Sequence, residues 1–157
     1  MKGATDGICL LVSICGGDAD NSALPKGCMM ELYVGGSSQG KLSYILRKYN
    51  MDKSQVTIAE GSLCNEEDLF TYKIINHFQE YIARLLEDEK DIGEFTKMLL
   101  EKNPEVIILC NEVGYGIVPM DKKDRVYREE VGRCLCRLAK EAVLFERIVG
   151  GFGMRLK

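Results

Sequence analysis

The sequence predicts an α/β protein, a mostly parallel sheet with helices on both faces. Three observations predict it. Short apolar runs alternate with segments of helical periodicity from Met30 onward. The best of these runs, Val106–Cys110, is apolar throughout, as a strand covered on both faces should be. The first run, Leu32–Val34, feeds a glycine-rich turn, Gly35–Lys41, that opens a helix. Strand, glycine loop and helix in that order are the setting a phosphate-binding loop needs.

The elements follow in order. Residues 1–28 differ from the rest. Ile8–Cys15 is apolar and is followed by the polar stretch GGDADNSALPKG, readable as a loosely attached or disordered segment, an extra strand or a weak export signal. The regular domain is expected over 29–157. Glu31–Val34 is a buried strand, and Leu42–Lys48 a helix with Ile45 and Leu46 inward. Gln55–Ala59 is a β-branched strand ended by Glu60-Gly61. Asn65 is an N-cap with three carboxylates behind it. The spacing of Phe70, Ile74, Phe78, Tyr81, Ile82 and Leu85 predicts one helix to about Glu87. Asp91 opens a helix that Asn103-Pro104 stops. Strand Val106–Cys110, loop Asn111–Pro119 and a helix over Asp124–Glu141 come next. Strand Val143–Val149, a glycine turn and a short strand Met154–Leu156 close the chain.

Bulk properties narrow the function classes. The chain has 157 residues, enough for one domain with a real core, and is 46% hydrophobic and 29% charged. A formal net charge of −3 argues against a broad grip on nucleic acid but permits a compact positive pocket. No apolar run approaches the ~20 residues of a membrane-crossing helix. The seven cysteines form no C-x-x-C pair and read as small apolar side chains in a reducing cytoplasm. A single histidine, His77, argues against a zinc site, and no metal ligand is assigned.

The chemistry concentrates where the sheet's carboxyl edge should lie, because ligands of parallel sheets bind there. Gly35, Gly36, Ser37, Ser38, Gln39, Gly40 and Lys41 form the candidate phosphate cradle: glycines let backbone N–H groups turn inward, and the lysine reaches the outer phosphates. A Mg²⁺-binding hydroxyl is expected next, yet the chain has Leu42, with Ser43 one place late and ~100° further round the helix. The same edge carries Ala59, Glu60 and Gly61 after the second strand, and Asn111, Glu112 and Gly114 after the core strand. A structural glycine turn, a surface histidine and a solvated ion-pair helix are the plainer readings of the loop, of His77 and of Arg125, Arg128 and Arg133.

These residues resemble one family, the bifunctional adenosylcobinamide kinase / adenosylcobinamide-phosphate guanylyltransferases. Gly35–Lys41 is similar to its GGxxSGKS loop, which implies the P-loop nucleotide-binding type of fold. Asn111–Pro119 reproduces its NEVGxGIVP signature. Arg125, Tyr127, Arg128, Gly132, Arg133 and Arg137-Leu138 resemble its following helix, and GGFGMRLK its closing tail. Ile58–Gly61 resembles the family's I-A-T-x strand end beside the nucleotide. Lys73–His77 resembles its R-I-x-x-H helix, whose histidine accepts GMP from GTP.

Three departures accompany the resemblance. Leu42 replaces the loop hydroxyl, the R-P-x-x-W-x-T stretch after the histidine is absent, and the family's acidic D-C-L-T-x-W-like strand reads as deleted. Glu112, Glu60 and Glu87 then remain as carboxylates for a metal. The resemblance implies a cytoplasmic, homo-oligomeric enzyme of cobalamin biosynthesis with GTP or ATP, and Mg²⁺ where it still binds. It would phosphorylate adenosylcobinamide, or transfer GMP through His77 onto adenosylcobinamide phosphate, with Lys41 as the other catalytic side chain. Its partners would be a nucleotide and a corrinoid, with neither nucleic acid nor membrane. Retention of only one activity, or nucleotide or corrinoid binding without catalysis, are the alternatives.

Overall fold

The computed structural model describes residues 29–114 and 121–157; the expectations for 1–28 and for 115–120 lie outside the described residues. Six strands form one sheet in the order β2-β3-β4-β1-β5-β6. They are β1 (Glu31–Gly35), β2 (Ile58–Glu60), β3 (Ile74–Asn76), β4 (Ile107–Asn111), β5 (Leu144–Val149) and β6 (Phe152–Arg155). Strands β1 to β5 pair in parallel, and β6 turns back antiparallel on β5. Five helices complete the described fold: α1 (Lys41–Lys48), α2 (Glu66–Thr71), α3 (Phe78–Glu87), α4 (Ile92–Lys102) and α5 (Lys122–Glu141).

Helices cover both faces, so the central strands are buried on both sides. Leu32, Val34, Ile108 and Cys110 face one core, which the inward sides of α3, α4 and α5 complete with Phe78, Ile82, Leu85, Leu99, Val131 and Leu138. Tyr33, Ile107, Leu109 and Ile148 face a smaller core under α1, built on Ile45. At about 1.5–3 kcal/mol for each large apolar side chain removed from water, these two layers are the main stabilising contribution. The chain after β1 goes to α1 on one face, and α5, which follows β4, packs on the other. A crevice therefore opens between the carboxyl ends of these neighbouring strands, the topological switch point of the sheet.

The second strand is shorter than expected and displaced, Ile58–Glu60 against Gln55–Ala59. Gln55 and Val56 instead hydrogen-bond back to Asp52 O, and Asp52 Oδ1 accepts from Ser54, a local turn that competes with the ladder.

A larger correction concerns 65–87. The expected single helix is two helices with a strand between them. The capping box of Asn65 and Asp68 does open α2, with Asn65 Oδ1 accepting from Asp68 N at 2.9 Å. But α2 stops at Thr71, because Asn103 donates its side-chain amide to Leu69 O and Tyr72 O, both at 2.9 Å. Ile74 and Ile75 are β-branched and fully buried between β2 and β4. His77 then takes a left-handed conformation (φ 52°) that separates the strand from α3. Lys73–His77 thus spans strand β3 and its flanking residues, not the helix that its resemblance implied, and β3 ends in Asn76.

Cys64, Cys110 and Cys134 are buried free thiols, whereas Cys136 is disulfide-bonded, which departs from an all-thiol chain. Among the described residues, no helix is long and apolar enough to cross a membrane.

Candidate functional site

The loop after β1 is built on close backbone contacts. Gly35 lies against β5, where a Cβ would sit 2.4 Å from Ile148 O, so only glycine lets β1 approach β5 this closely. Gly40 needs its freedom too: it caps α1 with φ 77°. Ser38 also has positive φ (58°), a strained setting for a side-chain-bearing residue. Gln39 ties the loop to the β5–β6 turn. Its Oε1 accepts from Gly150 N at 2.6 Å and its carbonyl from Gly151 N at 3.0 Å. Gly36 is half-buried, whereas Ser37 and Ser38 are exposed, as the lip of an open cradle should be.

Lys41 is the first residue of α1, and its side chain folds back into the loop. Its Nζ donates to Gly36 O (2.8 Å) and Gly35 O (3.3 Å), and the residue is 6% exposed. Burial pushes the ammonium below its ordinary pKa; Cys110 and Glu112 act in the opposite direction. An ammonium held on its own carbonyls at a helix N-terminus is positioned to exchange them for an anion.

Beside the loop lies a cleft of about 400 Å³, lined by Gly36, Ser37, Gln39, Glu112, Arg147 and the end of β5. Glu112 follows β4, its N–H donating to Gly35 O at 2.9 Å, so β4 and the loop are joined at this point. Its side chain is 10% exposed and receives a fork from Arg147, with Nη2 to Oε2 at 2.9 Å and Nε 2.8 Å from Oε1. The Nε contact is close but off-line and counts as ionic rather than as a second hydrogen bond. Asn111 donates its backbone N–H to Gln79 Oε1 (2.9 Å), and its own Oδ1 is buried with no hydrogen-bond partner among the described residues. Gly114 (φ 110°) is exposed.

Ala59, Glu60, Gly61 and His77 form the other half of the edge. Ala59 is buried in the core and cannot touch a ligand through its side chain. Glu60 Oε1 accepts from Asn76 Nδ2 at 2.8 Å, and Glu60 Oε2 lies 2.9 Å from His77 Nδ1. That contact favours the tautomer with the proton on Nδ1, which leaves the Nε2 lone pair available. Gly61 packs so tightly that a Cβ would meet His77 O at 2.2 Å. His77 is the N-cap residue of α3, not a mid-helix residue as its spacing suggested. Lys41 and His77 emerge at the same carboxyl edge with one strand, β4, between their own, a strand separation on the order of 10 Å.

The residues do not fit a P-loop magnesium site. Leu42 is half-buried and packs against the core under α1, and Ser43 is exposed. Glu112 is engaged by Arg147, and Glu60 by Asn76 and His77. Glu87 is the last residue of α3, about 14 Å along the helix from its start at the sheet edge. Among the described residues, no three His, Cys, Asp or Glu side chains gather as an all-protein metal site. Arg133 takes the ion-pair reading, bonded to Glu129 and Glu130 of its own helix.

Arg147, Gln79 and the Gln39 tie were not anticipated. Arg147 had a signal, since Glu146-Arg147 puts two charges inside an otherwise apolar strand. Glu146 faces α1, where Tyr44 and Lys48 bond it; Arg147 comes out on the cleft.

Comparison with known proteins adds two matches. The family model described as cobinamide kinase / cobinamide phosphate guanyltransferase matches residues 68–156. That stretch runs from α2 through β6 and includes β3 and Asn111–Gly114; the loop Gly35–Lys41 precedes it. The bifunctional adenosylcobalamin biosynthesis protein CobU of Salmonella typhimurium is 40% identical over 53 residues, 34% of this chain and 29% of that protein. The chain thus matches less than a third of that relative's length.

Proposed function

The chain belongs to the cobinamide kinase / cobinamide phosphate guanyltransferase family, and from that premise we propose that it binds a nucleoside triphosphate at Gly35–Lys41 and transfers part of it to a corrinoid. The observation that carries this reading is Lys41, buried at the start of α1 with its ammonium on the carbonyls of Gly35 and Gly36. A buried lysine held at a helix N-terminus inside a glycine loop is suited to a phosphate tail and to little else.

Of the two family activities, transfer of GMP from GTP suits these residues better than phosphorylation of cobinamide. Phosphoryl transfer relies on a bridging Mg²⁺ that Leu42 does not support. Guanylyl transfer needs a nucleophile, and His77 has its Nδ1 on Glu60 with the other ring nitrogen left as a base. In that reaction His77 Nε2 attacks the α-phosphorus of GTP and pyrophosphate leaves. The resulting phosphoramidate then passes GMP to an oxygen of cobinamide phosphate. The exposed Phe152 and Met154 on edge strand β6 support assembly with further copies, and residence in the cytoplasm is part of the same proposal.

Incubating the full chain with GTP labelled on the α-phosphate tests this. Label retained through denaturation, lost in His77→Ala and released by cobinamide phosphate, is the expected result. A second reading, nucleotide binding without catalysis, is favoured by the packing of Leu42 into the core. GTP binding that Lys41→Met abolishes, with neither labelling nor turnover of cobinamide, would establish it. Failure to bind any nucleotide would sink both.

A further inference from the structure

We propose that Arg147 is the second cation of the phosphate site and takes the place of the divalent metal, so that this chain binds the triphosphate group without magnesium. The inference rests on the reading of Gly35–Lys41 as a phosphate cradle and adds a residue and a metal requirement to it.

The argument begins with charge. A triphosphate brings about four negative charges at neutral pH, given a terminal-phosphate pKa near 6. The loop offers one ammonium and a helix N-terminus worth roughly half a charge. P-loop sites ordinarily make up the difference with Mg²⁺ held by a loop hydroxyl and a carboxylate. Here the hydroxyl position holds Leu42, whose side chain lies in the apolar layer with Tyr33 and Ile45. The carboxylate nearest the loop, Glu112, is already bonded to a guanidinium. A cation is thus placed where a metal's carboxylate ligand would be needed, and both halves of the usual metal site are altered together.

The geometry supports the same conclusion. Arg147 lines the cleft with Gly36, Ser37 and Gln39, three residues of the loop itself. It occupies the last paired position of the β1–β5 ladder, opposite Val34, with the close Gly35–Ile148 approach directly after it. Glu112, 10% exposed, fixes the guanidinium from the β4 side. A guanidinium carries five N–H donors, more than one carboxylate can take, so Arg147 can hold Glu112 and a phosphate oxygen together. Glu112 is then a positioning residue for Arg147 rather than a metal ligand.

Binding of GTP, and competition by inorganic tripolyphosphate, should be measured by calorimetry on the full chain in EDTA and in millimolar Mg²⁺. The wild-type affinity is expected to change by less than about threefold between the two, and tripolyphosphate to compete in both. Single removal of Arg147 leaves Glu112 as an uncompensated negative charge, so the informative variant is E112Q/R147Q, which removes both charges. It should lose roughly tenfold to a hundredfold in EDTA, the span of one or two charge-assisted hydrogen bonds. Wild-type binding that requires Mg²⁺, or a folded double variant that binds as tightly as wild type in EDTA, overturns the inference while the cradle stands. The wild-type arm decides the matter without any variant if the double variant fails to fold. Absence of binding with and without Mg²⁺ overturns the cradle reading itself.

Discussion

The two halves of the sheet's carboxyl edge are built from different materials. At β1, β4 and β5 the framework is backbone: glycines in close approach, a loop fixed by Gln39 on Gly150 and Gly151, and an ammonium on its own loop carbonyls. At β2 and β3 it is side chain: Glu60 bridges Asn76 and His77, with Glu60 40% and His77 41% exposed at the side chain. The first half suits holding a charged group still, because its donors cannot rotate away. The second presents an oriented ring nitrogen to solvent, which suits a reaction step more than tight binding. Binding and chemistry therefore occupy separate strands, and it should be feasible to break either one alone.

Matched glycine substitutions make the sharpest break. Gly35→Ala drives a Cβ to 2.4 Å from Ile148 O between two central strands that have no room to separate. We expect a loss of about 3 kcal/mol, at the upper end for overpacking, and roughly a 10 °C fall in Tm, with nucleotide binding abolished. Gly61→Ala places a Cβ 2.2 Å from His77 O, but β2 is an edge strand and can move outward. It should cost about 1–2 kcal/mol, keep GTP binding and lose any labelling at His77. Equal loss of binding in the two variants, read by calorimetry, would show that the halves are one unit.

A milder test concerns why His77 is where it is. Its left-handed φ of 52° costs a side-chain-bearing residue about 1 kcal/mol, and glycine nothing. His77→Gly should therefore be more stable than His77→Ala by about 1 kcal/mol in urea unfolding, and at least as stable as wild type. Its Glu60 contact is partly exposed and contributes little to stability. A stabilised but inert His77→Gly would mean that the histidine is kept for its chemistry. A destabilised one would assign His77 to the fold.

How much of this was legible in the sequence depended on whether the deciding contacts were local. The β1–loop–α1 unit was legible because its own residues dictate it: an apolar run, a glycine, Gly40, where φ is positive, and a lysine at the helix start. The core strand β4 and the edge position of Asn111 and Glu112 were legible for the same reason. β3 was not. Phe70, Ile74 and Phe78 recur at helical spacing, and the contact that ends α2 comes from Asn103, some thirty residues away. Hiding that strand also hid the junction setting of His77, since the left-handed turn has meaning only once β3 and α3 are separate. Arg147 carried a visible anomaly, but only the register of β5 against β1 places it beside the loop.

The smallest expected effect separates the halves by pH. Lys41 is buried and its pKa lies below the ordinary lysine value of 10.5, with burial as the cause. The unfolded chain therefore holds that proton more tightly than the folded one, and stability contributed by this site rises as pH rises toward 10.5. At pH 7 the full burial penalty is present, so Lys41→Met should match or exceed wild-type stability without nucleotide, within about 1 kcal/mol. The difference should narrow at pH 10, as wild type sheds part of the penalty on the way to 10.5. Saturating GTP should reverse the order at pH 7, because phosphate oxygens favour the charged ammonium and give wild type a stabilisation the variant lacks. Urea unfolding of both chains at the two pH values, with and without GTP, reads all four quantities. If the gap instead favours wild type at pH 7 without nucleotide, the bonds to Gly35 and Gly36 outweigh burial, and the lysine serves the loop's structure before any ligand arrives.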